Sequence, residues 1–457
     1  MSPSALILLS LVAASAVAPS AVAAVALIVE PGVPAPDEEL VAAIDADYDA
    51  LLGDLFVHFH RNPELSYLEV ATAARLAEEL RAAGVTRVIE GVGGTGVVGL
   101  LENGDGPLVL VRADMDGLPI LEDTGLAYAS KARQVDITGQ EVPVMHGCGH
   151  DVHMTALVGT ARRLVASTER WSGTVMFIGQ PAEERIGGAR AMLEDGLYER
   201  FGVPDFALAL HVSAGDPAGL VQLAPGLIYS SSDSVDITVR GIGAHGASPH
   251  RGRDPIYIAS SLVVALQGLV SRELSPLEPG VVTVGSFHGG FKHNIIPDEV
   301  KLQLTVRSDS EQTRATLLAG IRRTAEHVAR SHGVPDELLP IVTVSTESTP
   351  TTWNDPALAA RLNDVFRREL GVGRMYDNER SGMGAEDFAY FVRTEHAVPG
   401  AYFRVGGTPA EDLLAQDRGE SSVPSHHSPF FFVAPEPSVK AGVHAMTVAV
   451  LELLGEH

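Results

Sequence analysis

The chain has 457 residues, more than one ordinary hydrophobic core accommodates, so two domains are expected. Its 45% apolar and 20% charged content is that of a globular protein able to bury a large core. A formal charge of −25 argues against nucleic-acid or anionic-membrane binding, which needs a basic face.

The N-terminus stands apart. Ala5–Val12 is apolar, small residues including Ala21-Val22-Ala23 follow, and no charged side chain precedes Glu30. This resembles a secretory signal peptide over residues 1–24, although a basic start is missing. Cleavage implies export to the periplasm or medium. An uncleaved membrane anchor and a misplaced start codon are the alternatives. Residues 25–37, with Pro31, Pro34 and Pro36, read as a linker.

From 38 to 83 a helical period runs through Leu40, Ile44, Leu51, Leu55, Leu76 and Leu80, interrupted by a loop at His60–Glu64. Short apolar strands then alternate with helices. Val97–Leu101, Leu108–Val111, Val175–Ile178 and Phe206–Leu210 read as strands, and Met154–Val165 as a helix. This predicts an α/β fold, a mostly parallel central sheet with helices on both faces. Residues 231–345 change pattern. Strands at Ser234–Arg240, Val281–Phe287, Val300–Arg307 and Ile341–Ser345 enclose helices at Ile256–Leu274 and Glu311–Ser331. The order β-α-β-β-α-β predicts an inserted ferredoxin-like α+β domain. Residues 38–230 and 346–457 would then form one discontinuous domain.

Gly91-Val92-Gly93-Gly94-Thr95-Gly96 fits the G-x-G-x-x-G pattern. A dinucleotide site needs that turn to open a helix, and here a strand follows. Nucleotide binding is therefore not expected.

The chemistry is concentrated elsewhere. His146-Gly147-Cys148-Gly149-His150-Asp151-Val152-His153 holds three histidines, one aspartate and the only cysteine of the chain. These side chains bind borderline-soft divalent metals. One cysteine can form no internal disulfide and has no partner to resolve an oxidised intermediate, which removes a redox-thiol reading. Gly179-Gln180-Pro181-Ala182-Glu183-Glu184 follows a strand, at the edge where open α/β sheets collect ligands. Adjacent carboxylates repel, and a metal relieves the conflict: one can coordinate while the other takes a proton from bound water. His211 ends another strand, His426-His427-Ser428-Pro429 could supply a distal ligand, and Asp116 could orient a ligand histidine from behind.

Taken in order, these stretches carry a family resemblance. With His60-Arg61-Asn62-Pro63-Glu64-Leu65, Arg112-Ala113-Asp114-Met115-Asp116, Gly243–His250, Asn294–Asp298 and Gly384–Phe388, the chain resembles the metal-dependent amidohydrolases and carboxypeptidases of aminoacylase type. That group includes hippurate hydrolases and indole-acetyl-amino acid hydrolases. The resemblance runs from about residue 40 to the C-terminus.

It implies a zinc-exopeptidase-like catalytic domain and two divalent metals per subunit, manganese or zinc, with cobalt or nickel as alternatives. The matching ligands are Cys148, which takes the bridging position, His150, Glu184, His211 and His427. Glu183 matches the general base, and His245 a histidine that reaches the scissile carbonyl, in relatives often from the partner subunit. Asn294 matches a substrate contact. Arg251, and beside it Arg253, could meet the substrate carboxylate. His146, Asp151 and His153 are expected behind the ligands or at a helix start. The inserted domain resembles a dimerisation and lid domain, which implies a homodimer.

The implied reaction is hydrolysis of an N-acyl amino acid or related small amide by metal-activated water. A dipeptidase or carboxypeptidase acting on short peptides shares every motif. A non-catalytic metal-dependent binding protein would not need Glu183. Two departures, Phe291-Lys292-His293 before Asn294 and His426 before His427, bear on pocket shape and hence on the substrate.

Overall fold

The computed structural model describes residues 37–377, 380 and 382–455. The segment expected as a signal peptide, and the linker up to Pro36, lie outside these residues. Asp37 caps the first helix, its carboxylate accepting the Leu40 N–H at 3.0 Å. Helices α1 (Glu38–Asp47), α2 (Gly53–Arg61) and α3 (Val70–Ala83) follow, so the expected interruption begins after Arg61 rather than at His60.

Strands β1 (Arg87–Val92) and β2 (Gly96–Asn103) form an antiparallel hairpin. Its turn is the Gly91–Gly96 stretch, with Gly93 and Gly94 at positive φ. The glycine pattern therefore serves a strand connection, as the following Val97–Leu101 run implies. Next come β3 (Leu108–Asp114), α4 (His150–Val165), β4 (Gly173–Gln180), β5 (Phe206–Pro217) and β6 (Val221–Gln222).

The chain then leaves for a second sheet. It builds β7 (Ser231–Arg240), α5 (Pro255–Gly268), β8 (Gly280–Gly289), β9 (Glu299–Ser308), α6 (Glu311–Ser331) and β10 (Ile341–Thr349). On return, Thr352–Asn354 pairs with Gly226–Tyr229. Helix α7 (Pro356–Glu369), β11 (Gly400–Thr408) and α8 (Pro435–Leu454) complete the fold.

The large sheet runs β1-β2-β4-β3-β5-β11-β6. β4, β3, β5 and β11 are parallel; the β1–β2, β2–β4 and β11–β6 pairings are antiparallel. The sheet is thus mixed, parallel only at its centre. The centre follows from strand–helix alternation, whereas the hairpin and the two-residue β6 set the antiparallel edges. Alternate residues along the strands serve opposite faces. Val109, Val111, Val175, Phe177, Leu208 and Leu210 pack against α3, α4 and α8. Leu110, Met176, Ile178, Ala207 and Ala209 meet Ala189, Met192, Phe388 and Phe391 on the other face.

The small sheet runs β8-β9-β7-β10, antiparallel throughout, and packs Ile237, Leu302 and Val306 against Leu262 of α5 and Ile321 of α6. In the large sheet, parallel β3, β4 and β5 run toward one edge. Asp114, the Pro181–Glu184 loop and His211 come together there.

Candidate metal centre and active site

The turn into α4 sets the first two side chains. Gly149 has φ +85°, and a Cβ on it would lie 2.2 Å from Val212 Cγ1, so glycine is required. Cys148 precedes that turn and His150 opens the helix. His150 Nδ1 donates to the Asp116 carbonyl at 2.8 Å, which turns Nε2 toward Glu184 Oε1, 3.9 Å away. Both of these facing atoms are buried without a hydrogen-bond partner.

His211 is arranged in the same way. Its Nδ1 donates to the Val212 carbonyl at 2.6 Å, leaving the Nε2 lone pair 3.5 Å from Cys148 Sγ. His427 has the left-handed φ of +63°, and its N–H donates to the Gly147 carbonyl at 2.9 Å. That loop geometry brings its Nε2 to 3.3 Å from Glu184 Oε2. The donor atoms of Cys148, His150 and His211 all lie within 4.8 Å of one another, as do those of Cys148, Glu184 and His427. The five residues expected as ligands are therefore brought together.

The glutamate loop is pinned by Asp116. Its carboxylate accepts the Glu183 N–H at 3.1 Å, the Glu184 N–H at 3.0 Å and the Ser66 hydroxyl at 2.6 Å. Asp116 thus orients His150 chiefly through its backbone carbonyl, while its side chain positions both glutamates. Asp151 takes the second of its two expected places, at the helix start in the first turn of α4, and not behind a ligand histidine. Its carboxylate takes the His60 Nδ1 at 2.7 Å, and the other face of His60 reaches Glu122 at 3.2 Å. His153 donates to Asp114 at 2.5 Å through Nδ1 and accepts the Val212 N–H at 2.8 Å on Nε2, so neither nitrogen is free to ligate. His146 is buried with both ring nitrogens unpartnered.

Buried negative charge dominates the centre. Arg112 reaches Asp114 and Glu386 at 2.8 Å each, Gln180 through Nε at 2.8 Å, and Asp387 at 3.4 Å. Glu183, Glu386 and Asp387 offer oxygens within 4.8 Å of one another. Burial, then Glu386 and Glu184, pushes the Glu183 carboxyl well above its ordinary range. Burial, then Glu184 and Glu183, pushes the Cys148 thiol up as well. At His150 burial opposes protonation, but Asp114, then Asp116 and Glu184, raise its pKa to about 10. The carboxylate contributions to these shifts share one sign: they make this corner attract positive charge. A divalent cation fits it, since it would meet orphaned N and O donors and offset the carboxylate excess.

The remaining expected residues sit on the small domain. His245 is exposed on the two-residue strand Ala244–His245, paired with Ile295–Ile296. Its Nδ1 accepts the Ala247 N–H at 3.0 Å, which leaves Nε2 to carry the proton and donate. Asn294 lies beside it, the Gly246 N–H meeting its carbonyl at 2.8 Å, and Asn294 Oδ1 is buried without a partner. Arg251 is exposed, whereas Arg253 is spent on the Gly333 and Gly252 carbonyls at 2.7 and 2.8 Å. Among the described residues of one chain, none of these side chains contacts the metal-ligand cluster.

Sequence reasoning assigned no role to Arg112, Glu386 and Asp387, although a charged residue directly after the apolar Leu108–Val111 run was a signal. It also read His426 as a feature of pocket shape. The structure adds a contact: His426 Nδ1 lies 3.7 Å from Cys148 Sγ. A cavity of about 790 Å³ lined by Glu38, Val41, Lys440 and His444 lies away from these groups, so cavity size does not mark the chemistry here.

Residues 110–424 match the pattern of Peptidase family M20/M25/M40. The chain belongs to this family. It is a metal-dependent hydrolase of amide or peptide bonds. It is 37% identical to a hippurate hydrolase of Campylobacter jejuni over 73% of this chain and 82% of that one. It is 36% identical to thermostable carboxypeptidase 2 of Saccharolobus solfataricus over 76% and 83%. Among solved structures, the Bacillus subtilis YXEP protein, a dinuclear metal-binding peptidase from the M20 family, superposes with a TM-score of 0.69. That match covers 92% of this chain and all of the other, at 27% identity.

Proposed function

We propose that this M20 hydrolase cleaves N-acyl amino acids or related small amides, releasing a carboxylic acid and an amino acid. The observation that carries the reading is the convergence of the His150 and His211 Nε2 atoms, Cys148, Glu184 and His427 around one anionic corner, with Glu183 beside it. Cys148, His150, Glu184, His211 and His427 would hold two divalent cations, manganese or zinc. Bound there, such ions supply water activation and carbonyl polarisation.

The protein's own groups do the rest. Glu183, held by Asp116 and displaced upward in pKa, accepts a proton from water and returns it to the leaving amine. His245 donates through Nε2 to the tetrahedral oxyanion, Asn294 contacts the substrate, and Arg251 meets its carboxylate. Because His245 and the metal-ligand cluster do not touch within one chain, we assign His245 to the site of a partner subunit in a homodimer. Exposed Tyr257 and Val264 on α5 and exposed Phe291 support association through the small domain. The Ala21-Val22-Ala23 stretch supports export as the location.

Purified protein assayed against N-acetyl, hippuryl and indole-acetyl amino acids with each metal tests the reading. Release of the free amino acid from at least one series is expected. The similarity to the carboxypeptidase keeps a second reading in place, and faster cleavage of short peptides than of every acyl amino acid would select it.

A further inference from the structure

His426 makes two contacts that together fix its protonation. Its Nε2 accepts the Ala214 N–H at 2.9 Å, and a nitrogen that accepts cannot carry a proton. The one proton of the neutral ring is therefore on Nδ1, which faces Cys148 Sγ at 3.7 Å. The ring is held in this pose by Phe431, stacked at 5.0 Å and 29°, and by the edge of His211 at 5.2 Å. A protonated Nδ1 cannot ligate a metal, so His426 stands beside the ligand set without joining it.

We propose that His426 is a positioning residue that donates an N–H···S hydrogen bond to Cys148 and thereby sets how the sulfur binds metal. The proposal rests on the reading of Cys148 as a ligand. An N–H donor draws electron density from a thiolate, making it a weaker and harder ligand. Soft sulfur favours zinc, whereas harder donors suit manganese. His426 would thus bias the site away from zinc and toward manganese, and would hold the sulfur in one orientation.

Two substitutions separate the two hydrogen bonds of the ring. His426→Asn places an amide N–H near the Nδ1 position and keeps the contact to sulfur. His426→Gln places an amide oxygen near the Nε2 position and keeps only the contact to Ala214. Thermal melts of the metal-free proteins check that both fold. Each is titrated with cobalt(II), following the sulfur-to-cobalt charge-transfer band, and its zinc and manganese affinities are measured by chelator competition.

In His426→Gln the band should move to longer wavelength, and the zinc-to-manganese affinity ratio should rise about tenfold. His426→Asn should match the wild type. Unchanged spectra in His426→Gln, or equal shifts in both variants, would overturn the proposal while leaving amide hydrolysis intact. Absence of a charge-transfer band in the wild type would remove Cys148 from the ligand set, and the proposal with it; the acyl-amino-acid assay reports on the reaction independently.

Discussion

Arg112 and Glu386 stand 274 positions apart in the chain, yet their charged groups meet at 2.8 Å, both buried. Tyr402 donates its hydroxyl to the other Glu386 oxygen at 2.5 Å. The pair ties the end of β3 to the segment before β11, directly behind Glu183. Without Glu386, Arg112 keeps Asp114 and Asp387, so the loss is that of the bonds from Arg112 and Tyr402, about 1–3 kcal/mol. Glu386→Leu should therefore lose stability of that order in chemical denaturation. Glu386→Gln, which still accepts from Tyr402, should lose less.

Cys148→Ala tests the ligand assignment. The side chain is small, so the metal-free variant should lose only about 1 kcal/mol in denaturant melts. Its metal content after dialysis, read by mass spectrometry, should fall well below that of the wild type. Full metal retention would exclude Cys148 as a ligand.

His60 makes stability depend on pH. Burial opposes its charge, but Asp151 and then Glu122 raise its pKa to about 9 from an ordinary 6.5. The contribution is complete below about pH 6.5 and is lost as pH rises through 9. The stability gap between wild type and His60→Gln should reach roughly 3 kcal/mol at the acid side of this window. It should narrow steadily toward pH 10. A gap that widens with pH would contradict the charged His60 bridge.

The clustering of the candidate ligands and the central parallel strands were legible because short motifs carry them: a cluster of Cys and His around glycines, two glutamates after a strand, and strand–helix alternation. The sheet edges were not, since β6 has two residues and pairing direction leaves little trace in so brief a run. The roles of Asp116 and Asp151 were only half legible. Both precede or follow a motif residue, but which backbone N–H or imidazole a carboxylate meets depends on loops that close in three dimensions. The contact of His426 with Cys148 was hidden for the same reason, since it spans 278 positions.

The lid assignment predicts complementation between subunits. Glu183→Gln and His245→Ala, each inactive alone, should regain about a quarter of wild-type activity when unfolded and refolded as a mixture. Only mixed dimers then combine an intact Glu183 with the partner's His245. No recovery, with mixed dimers present by mass spectrometry, would place His245 in its own chain's site or outside catalysis.

The turn at Gly149 offers a structural check. Gly149→Ala must accept φ +85° and a contact at 2.2 Å with Val212, a cost of roughly 2–5 kcal/mol. Because the same turn aims Cys148 and His150, metal affinity should fall together with stability.

The central claim, water attack assisted by Glu183 at a metal centre built from this cluster, is tested most directly by Glu183→Gln assayed for metal content and turnover in one preparation. The variant should bind metal as the wild type does, while hydrolysis of the best N-acyl amino acid falls by at least about 100-fold. Turnover retained at full metal occupancy would contradict the account.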